Sequence, residues 1–213
     1  LIDTQFLLNG LYQPINTKSA LFNFDIDAQQ FDIQKAYKQL ALFREMAPAA
    51  ESASGQVSLK YQLQGTLNKE MYPNMKSIKG SGDLILENIQ FKGFKLFNAV
   101  ASETKTDVLH DANVKNVVVK TSIANNVMTI ERTKFKIAGF RPRVEGQVTL
   151  DGKMNLGMRL GLPPFGIIGI PITVNGTSDK MDIKLGKYKN EDLAEDDEDY
   201  EAYKKSIDTL KQQ

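Results

Sequence analysis

The hydrophobic residues of this chain fall on alternate positions through most of its length, the period-two signature of strands with one dry face. Phe22, Phe24, Ile26 and Ala28 alternate with Asn23, Asp25 and Asp27, and residues 5–13 and 19–30 read as the first two strands. Val57, Leu59, Tyr61, Leu63 and Leu67 repeat the pattern in a strand ending near Asn68, and a loop around Pro73 leads to another over 80–91. Two stretches change period. Ile33, Ala36, Tyr37, Leu40 and Phe43 recur at helical spacing, with Asp32 where an N-cap belongs, a run expected to reach Met46, and Pro48 as the stop. Phe94, Phe97 and Ala101 share a face in a shorter helix over 94–102.

Residues 114–162 predict register as well as element type. Asn125-Asn126 supplies the two left-handed residues of a tight hairpin turn, pairing Ile123 with Met128 and Thr121 with Ile130. Ala138-Gly139 as a second two-residue turn sets Ile137 opposite Phe140 and Phe135 opposite Pro142. Apolar parity switches from even to odd between Ile130 and Phe135, which requires a bulge near Arg132 to Lys134. Beyond Phe140 the even positions Pro142, Val144, Gly146, Val148 and Leu150 face one way, and Met154, Leu156, Met158 and Leu160 continue that parity. An odd loop is needed between the two runs, expected as Asp151-Gly152-Lys153 with Leu150 meeting Met154. Pro142 lacks a ladder donor, so an edge-facing position is expected for it. After the break at Leu162-Pro163-Pro164-Phe165-Gly166, the run Ile167 to Val174, a turn at Gly176-Thr177-Ser178-Asp179, and Met181, Ile183 and Leu185 complete the sheet.

These patterns predict an α+β fold: a strongly curved, mainly antiparallel sheet of about eight to ten strands, forming an open groove or half-barrel, with a few short helices at one end. Ala47 to Ser54 is a small-residue linker. It divides an incomplete N-terminal unit, 1–54, which packs on the main sheet, from a β-domain over 55–187, followed by an acidic tail over 188–213. From Glu191 onward there are nine acidic and three basic residues, or −6, so residues 1–190 hold 24 Lys and Arg against 17 Asp and Glu, or +7. The tail lacks the spacing of a calcium-binding loop and reads as a solvated segment turning helical toward Tyr203 to Leu210, with weak divalent-cation binding as the alternative.

Composition narrows the chemistry. The chain has no Cys and one His among 213 residues, which removes thiol nucleophiles, Cys-ligated zinc and His-paired sites. His110 reads as a surface or capping residue. No apolar run is long enough for a membrane-spanning helix. The basic excess is scattered singly over Lys60, Lys92, Lys120, Lys134 and Lys184, without the clustered stripe and stacking aromatics of a nucleic-acid surface. Gly80-Ser81-Gly82 and Gly166 to Gly169 lack the Lys-Ser/Thr end of a phosphate loop and read as points of backbone curvature or close packing in a twisted sheet. Asp83, Glu87, Glu131 and Glu145 stand on the polar side of strands, and no Ser occupies a nucleophile elbow. The expectation is a non-enzyme with no catalytic residue, metal or cofactor. The chain begins at Leu1 without a leader pattern and is read as part of a longer protein.

At Gly80-Ser81-Gly82-Asp83-Leu84-Ile85-Leu86-Glu87-Asn88-Ile89 and Phe94-Lys95-Leu96-Phe97-Asn98-Ala99 the sequence resembles the C-terminal region of the AsmA family. The likeness continues at Gly161-Leu162-Pro163-Pro164-Phe165-Gly166 and at Ile170-Pro171-Ile172-Thr173-Val174-Asn175-Gly176-Thr177-Ser178-Asp179, and spans roughly Gly55 to Leu185. The resemblance implies a periplasmic protein of the Gram-negative envelope, anchored in the inner membrane by a helix outside this sequence and acting in outer-membrane biogenesis. It implies binding or transfer of phospholipid or another acyl-chain lipid along a hydrophobic β-groove. A scaffold or assembly factor for outer-membrane proteins, capturing clients at a strand edge, is the alternative.

The pattern of residues bears on the same point. One apolar sheet face must be covered by a second layer or by an apolar ligand, and two short helices cover only part of it. Either the helices and sheet curling close an ordinary core, or a concave face stays open to acyl chains. For the second case the expected lining is Val57, Leu59, Tyr61, Leu63, Val144, Val148, Leu150, Met154, Leu156, Met158 and Leu160.

Overall fold

The computed structural model describes residues 4–186 except 41–42, 45–46, 106, 111, 138, 164–165, 167 and 178. Ten strands form one sheet in chain order, each antiparallel to the next. They are β1 (Phe6–Asn16), β2 (Ser19–Asp32), β3 (Ala53–Asn68), β4 (Lys79–Phe91), β5 (Asn113–Ala124), β6 (Val127–Lys134), β7 (Arg141–Thr149), β8 (Lys153–Gly161), β9 (Gly169–Thr177) and β10 (Lys180–Leu185). β1 and β10 are the two ends of that order and do not pair with each other, so the sheet is not closed. Helix α1 (Ile33–Gln39) joins β2 to β3, and α2 (Lys95–Thr104) joins β4 to β5. The segment over 47–54 forms a 3-10 turn and the first residues of β3, and β2 pairs with β3 from Ser19↔Asn68 to Asp32↔Gln56.

The hairpins follow from parity and turn chemistry. Asn125 and Asn126 take φ of 53° and 66°, and the ladder pairs Thr121↔Ile130 and Ile123↔Met128 as their spacing predicts. Ile137 and Phe140 exchange backbone hydrogen bonds of 3.0 and 2.8 Å, and Phe135 N–H donates to Pro142 O; Ala138 lies outside the described residues. The parity switch is a bulge: register changes between Ile130↔Gly146 and Thr133↔Val144.

Two details of register differ from expectation. The β7–β8 loop is odd, but it is Leu150-Asp151-Gly152, so Val148, not Leu150, meets Met154. The cause is conformational. A three-residue hairpin loop needs a left-handed third residue, and Gly152, at φ 89°, adopts that conformation where Lys153 would be strained. The Gly152 N–H donates to Thr149 O at 2.8 Å and the Lys153 N–H to Thr149 Oγ1 at 2.9 Å, which fixes the turn. Pro142, in turn, does not face an open edge. It pairs with Leu160 on β8, and its carbonyl accepts from Phe135 just past the end of the β6–β7 ladder, where a missing donor breaks no regular pair.

Asp32 caps α1 as its position predicts, its side chain accepting from the Lys35 N–H at 2.8 Å. The helix stops earlier than its apolar spacing suggests. Leu40 is extended (φ −107°, ψ 105°), helical bonding resumes from Arg44 N–H to Leu40 O, and Phe43 packs edge-on against Phe31. Met46 and the acidic tail, with its expected helix over Tyr203 to Leu210, lie outside the described residues.

Candidate functional site

The ladder registers carry some rows through all ten strands, with one residue from each strand. One row reads Gly10, Phe24, Leu63, Gly80, Ile123, Met128, Val148, Met154, Gly176 and Met181 from β1 to β10. The adjacent row reads Leu8, Ile26, Tyr61, Gly82, Thr121, Ile130, Gly146, Leu156, Val174 and Ile183. Neither row contains a charge. The two hydroxyls in the second, Tyr61 and Thr121, meet each other at 3.1 Å, so the side-chain polar groups of this row satisfy one another.

Gly82 makes that contact possible. It lies between Tyr61 on β3 and Thr121 on β5, and the phenol ring crosses over its bare backbone. A Cβ on Gly82 would stand 2.5 Å from Tyr61 Cδ2 and 2.1 Å from Lys60 O. Of the two sequence readings, curvature or close packing, Gly80 and Gly82 meet the second: each leaves room for an aromatic or aliphatic neighbour from β3. Burial raises the Tyr61 pKa above the ordinary phenol value, and the Thr121 hydrogen bond offsets part of that rise.

The expected lining residues all lie on this face or at its rim, but in different surroundings. Leu156 and Leu160 are buried in a cluster with Leu96, Phe97, Val100 and Ala101 of α2; half-buried Val148, Met154 and Met158 pack against it. Val57 is fully buried in a second cluster with Ile33 and Ala36 of α1, flanked by half-buried Leu59. Leu63 belongs to a third, with Phe22, Ile78 and Ile123, to which half-buried Tyr61 and Leu150 attach. Val144 is half-buried between Thr133 and Met158. The helices thus seal two parts of the face. Between them Phe24, Ile26, Leu59, Tyr61, Leu84 and Val119 remain half-buried.

Sequence reasoning left β1 and β2 out of the lining. Phe6, Leu8 and Tyr12 sit on the same face, in register with Ala28, Ile26 and Phe22. The even-numbered pattern was present, but Leu7, Leu11 and Ile15 fill the odd positions with apolar side chains too. Alternation in β1 is therefore hidden.

Polar side chains are on the other face and at the turns, where they pair locally. Arg132 forks onto Glu145 beside the bulge, at 3.0 and 2.9 Å, and this hydrogen bond holds the Glu145 carboxyl below its usual range. Ser58 Oγ donates to Glu87 at 2.8 Å, and Lys120 lies 3.9 Å from Asp83. Lys95, at the start of α2, contacts Asp179 at 2.6 Å and ties the helix to the β9–β10 turn. His110 bonds Asn98 Oδ1 through Nδ1 at 2.8 Å, fastening the following turn to α2. An open cleft of about 480 Å³ on the polar face is lined by Thr129, Arg132, Glu145, Gln147 and Asn155 among others. Among the described residues no three His, Asp or Glu side chains converge as metal ligands would.

Comparison of the chain with protein-family models, with curated proteins and with solved structures finds no match.

Proposed function

We propose that this chain binds the acyl chains of phospholipid along the apolar face of its sheet, acting without catalysis in outer-membrane biogenesis in the periplasm, as its resemblance to AsmA proteins implies. The observation that carries the reading is the pair of charge-free rows running unbroken from β1 to β10. A face of this extent with two short helices on it leaves apolar surface that needs a cover. Acyl chains suit it because Met128, Met154, Met158 and Met181 offer side chains that adapt cheaply to disordered hydrocarbon.

Packing supports a bent sheet. One buried cluster joins Val114 and Val117 of β5 to Leu156 of β8 and Val174 of β9 around a helix about 10 Å wide. A flat sheet would spread β5 and β9 about 19 Å apart at ordinary strand spacing. Wrapping about α2 brings them together and makes the face concave.

The chain has no Trp, so Phe24→Trp places a single indole on the half-buried part of the face. Vesicles of phospholipid carrying brominated acyl chains should quench its fluorescence, while a Trp placed at Gln62, on the opposite face, should be unaffected. Equal quenching at both positions, or none at either, would count against the proposal.

A further inference from the structure

The polar face of the sheet gathers positive charge at one end. Lys134 of β6 pairs with Arg143 of β7, and Arg143 with Arg159 of β8, so three cations stand side by side across three strands. The next row holds Arg141 and, opposite it between the Phe135–Pro142 and Ile137–Phe140 contacts, Lys136. Among the described residues neither row contains an acid. Glu145, two residues along β7 from Arg143, is held by Arg132, and Asp182 on β10 lies 3.2 Å from Lys184. The chain spreads these five cations over residues 134–159, and antiparallel register collects them into one patch.

Arg159 shows that the charge is fixed there. Its side chain is buried, crosses the bare backbone of Gly169, and donates to Gly166 O at 2.7 Å. Like charges in facing register repel, so an acidic segment laid along the row is favoured by every member of it.

The chain itself arrives at this patch. Gly186, just past β10, donates its N–H to Pro171 O at 2.8 Å, and Pro171 is the β9 partner of Arg159. Five residues later begins Glu191-Asp192-Leu193-Ala194-Glu195-Asp196-Asp197-Glu198-Asp199, with seven acids in nine residues and no base. At ordinary strand spacing Arg143 and Lys134 are about 14 and 19 Å across the sheet from Gly186. Five extended residues reach about 17 Å, and nine more span about 30 Å.

We propose that the acidic run 191–199 docks on the basic rows of its own chain, from Arg159 toward Lys134. A tether of four residues gives the run an effective concentration of about millimolar order, above that of a free acidic partner. An anionic membrane, the other natural counter-charge for such a patch, would have to displace a segment already tethered beside it.

The native chain has no Cys, so Ala194→Cys carries a single nitroxide at the middle of the run and leaves every acid in place. At low salt the label should broaden the backbone amide signals of Lys134, Arg143 and Arg159. Those of Lys60 and Gln62, on the same face of β3, should stay sharp. Salt at 1 M, which cuts the screening length to about 3 Å, should restore the broadened signals. Lys134→Glu with Lys136→Glu, both exposed positions, should also restore them while the signals of β1 to β4 keep their places. Broadening spread evenly over the face, or insensitive to salt and to the two lysines, would overturn the proposal. So would broadening that arises only between labelled and unlabelled copies in a mixture, which would assign the contact to a second chain. Rows left sharp by the label but broadened by phosphatidylglycerol vesicles would overturn it in favour of a membrane surface.

Discussion

Single residues decide whether the apolar face is continuous. Gly82→Ala would force Tyr61 off its place above β4, break the bond to Thr121, and cost about 1–3 kcal/mol of stability through overpacking. Urea unfolding measures the loss. A tyrosine titration should show the phenol returning toward its ordinary value as it leaves the buried site. Glu145 behaves in the opposite sense. Its carboxyl is lowered chiefly by the Arg132 hydrogen bond, so the pair's small contribution to stability is present above the ordinary carboxylate range and is lost as pH falls through the lowered value. Carboxyl NMR of Arg132→Gln should find Glu145 titrating at higher pH than in the native chain. At this scale the sequence was partly transparent. Asp32 was legible as a cap because a short polar residue preceded a helical repeat; the bulge near Arg132 was legible from the parity switch, but the Arg132–Glu145 fork was not, because parity does not say which side chain meets the guanidinium across the ladder.

Elements were read through parity, and parity fails where a turn has more than one solution of the same length. Both the expected Asp151-Gly152-Lys153 loop and the observed Leu150-Asp151-Gly152 loop preserve it; the left-handed demand on Gly152 chooses between them. The early end of α1 was hidden for a related reason, since Tyr37, Leu40 and Phe43 fit one helix by spacing and the return of Phe43 to Phe31 is a tertiary contact. Helix α2 illustrates the energetic side. Leu156 is buried against its apolar face, so Leu156→Ala should destabilise the chain by about 2–5 kcal/mol in chemical denaturation. Half-buried Met158, its neighbour in parity, should lose less on the same change. A larger loss at Met158 than at Leu156 would show that α2 does not seal this part of the sheet.

For the whole molecule, a mainly antiparallel sheet of about eight to ten strands was legible because most strands alternate and several of their connections are turns of two or three residues. The reach of the apolar face into β1 was not, because both sides of that strand are apolar. The proposed function rests on a face that is sealed in places by α1 and α2 and only half-buried in between. Mass spectrometry of phospholipid co-purifying with the native chain addresses it most directly, with Leu59→Glu on the face and Gln62→Glu on its reverse purified in parallel. Bound phospholipid in the native and Gln62→Glu proteins, and its loss from a folded Leu59→Glu protein, is the expected result. A native chain free of lipid, or a folded Leu59→Glu variant that retains the native amount, would contradict it.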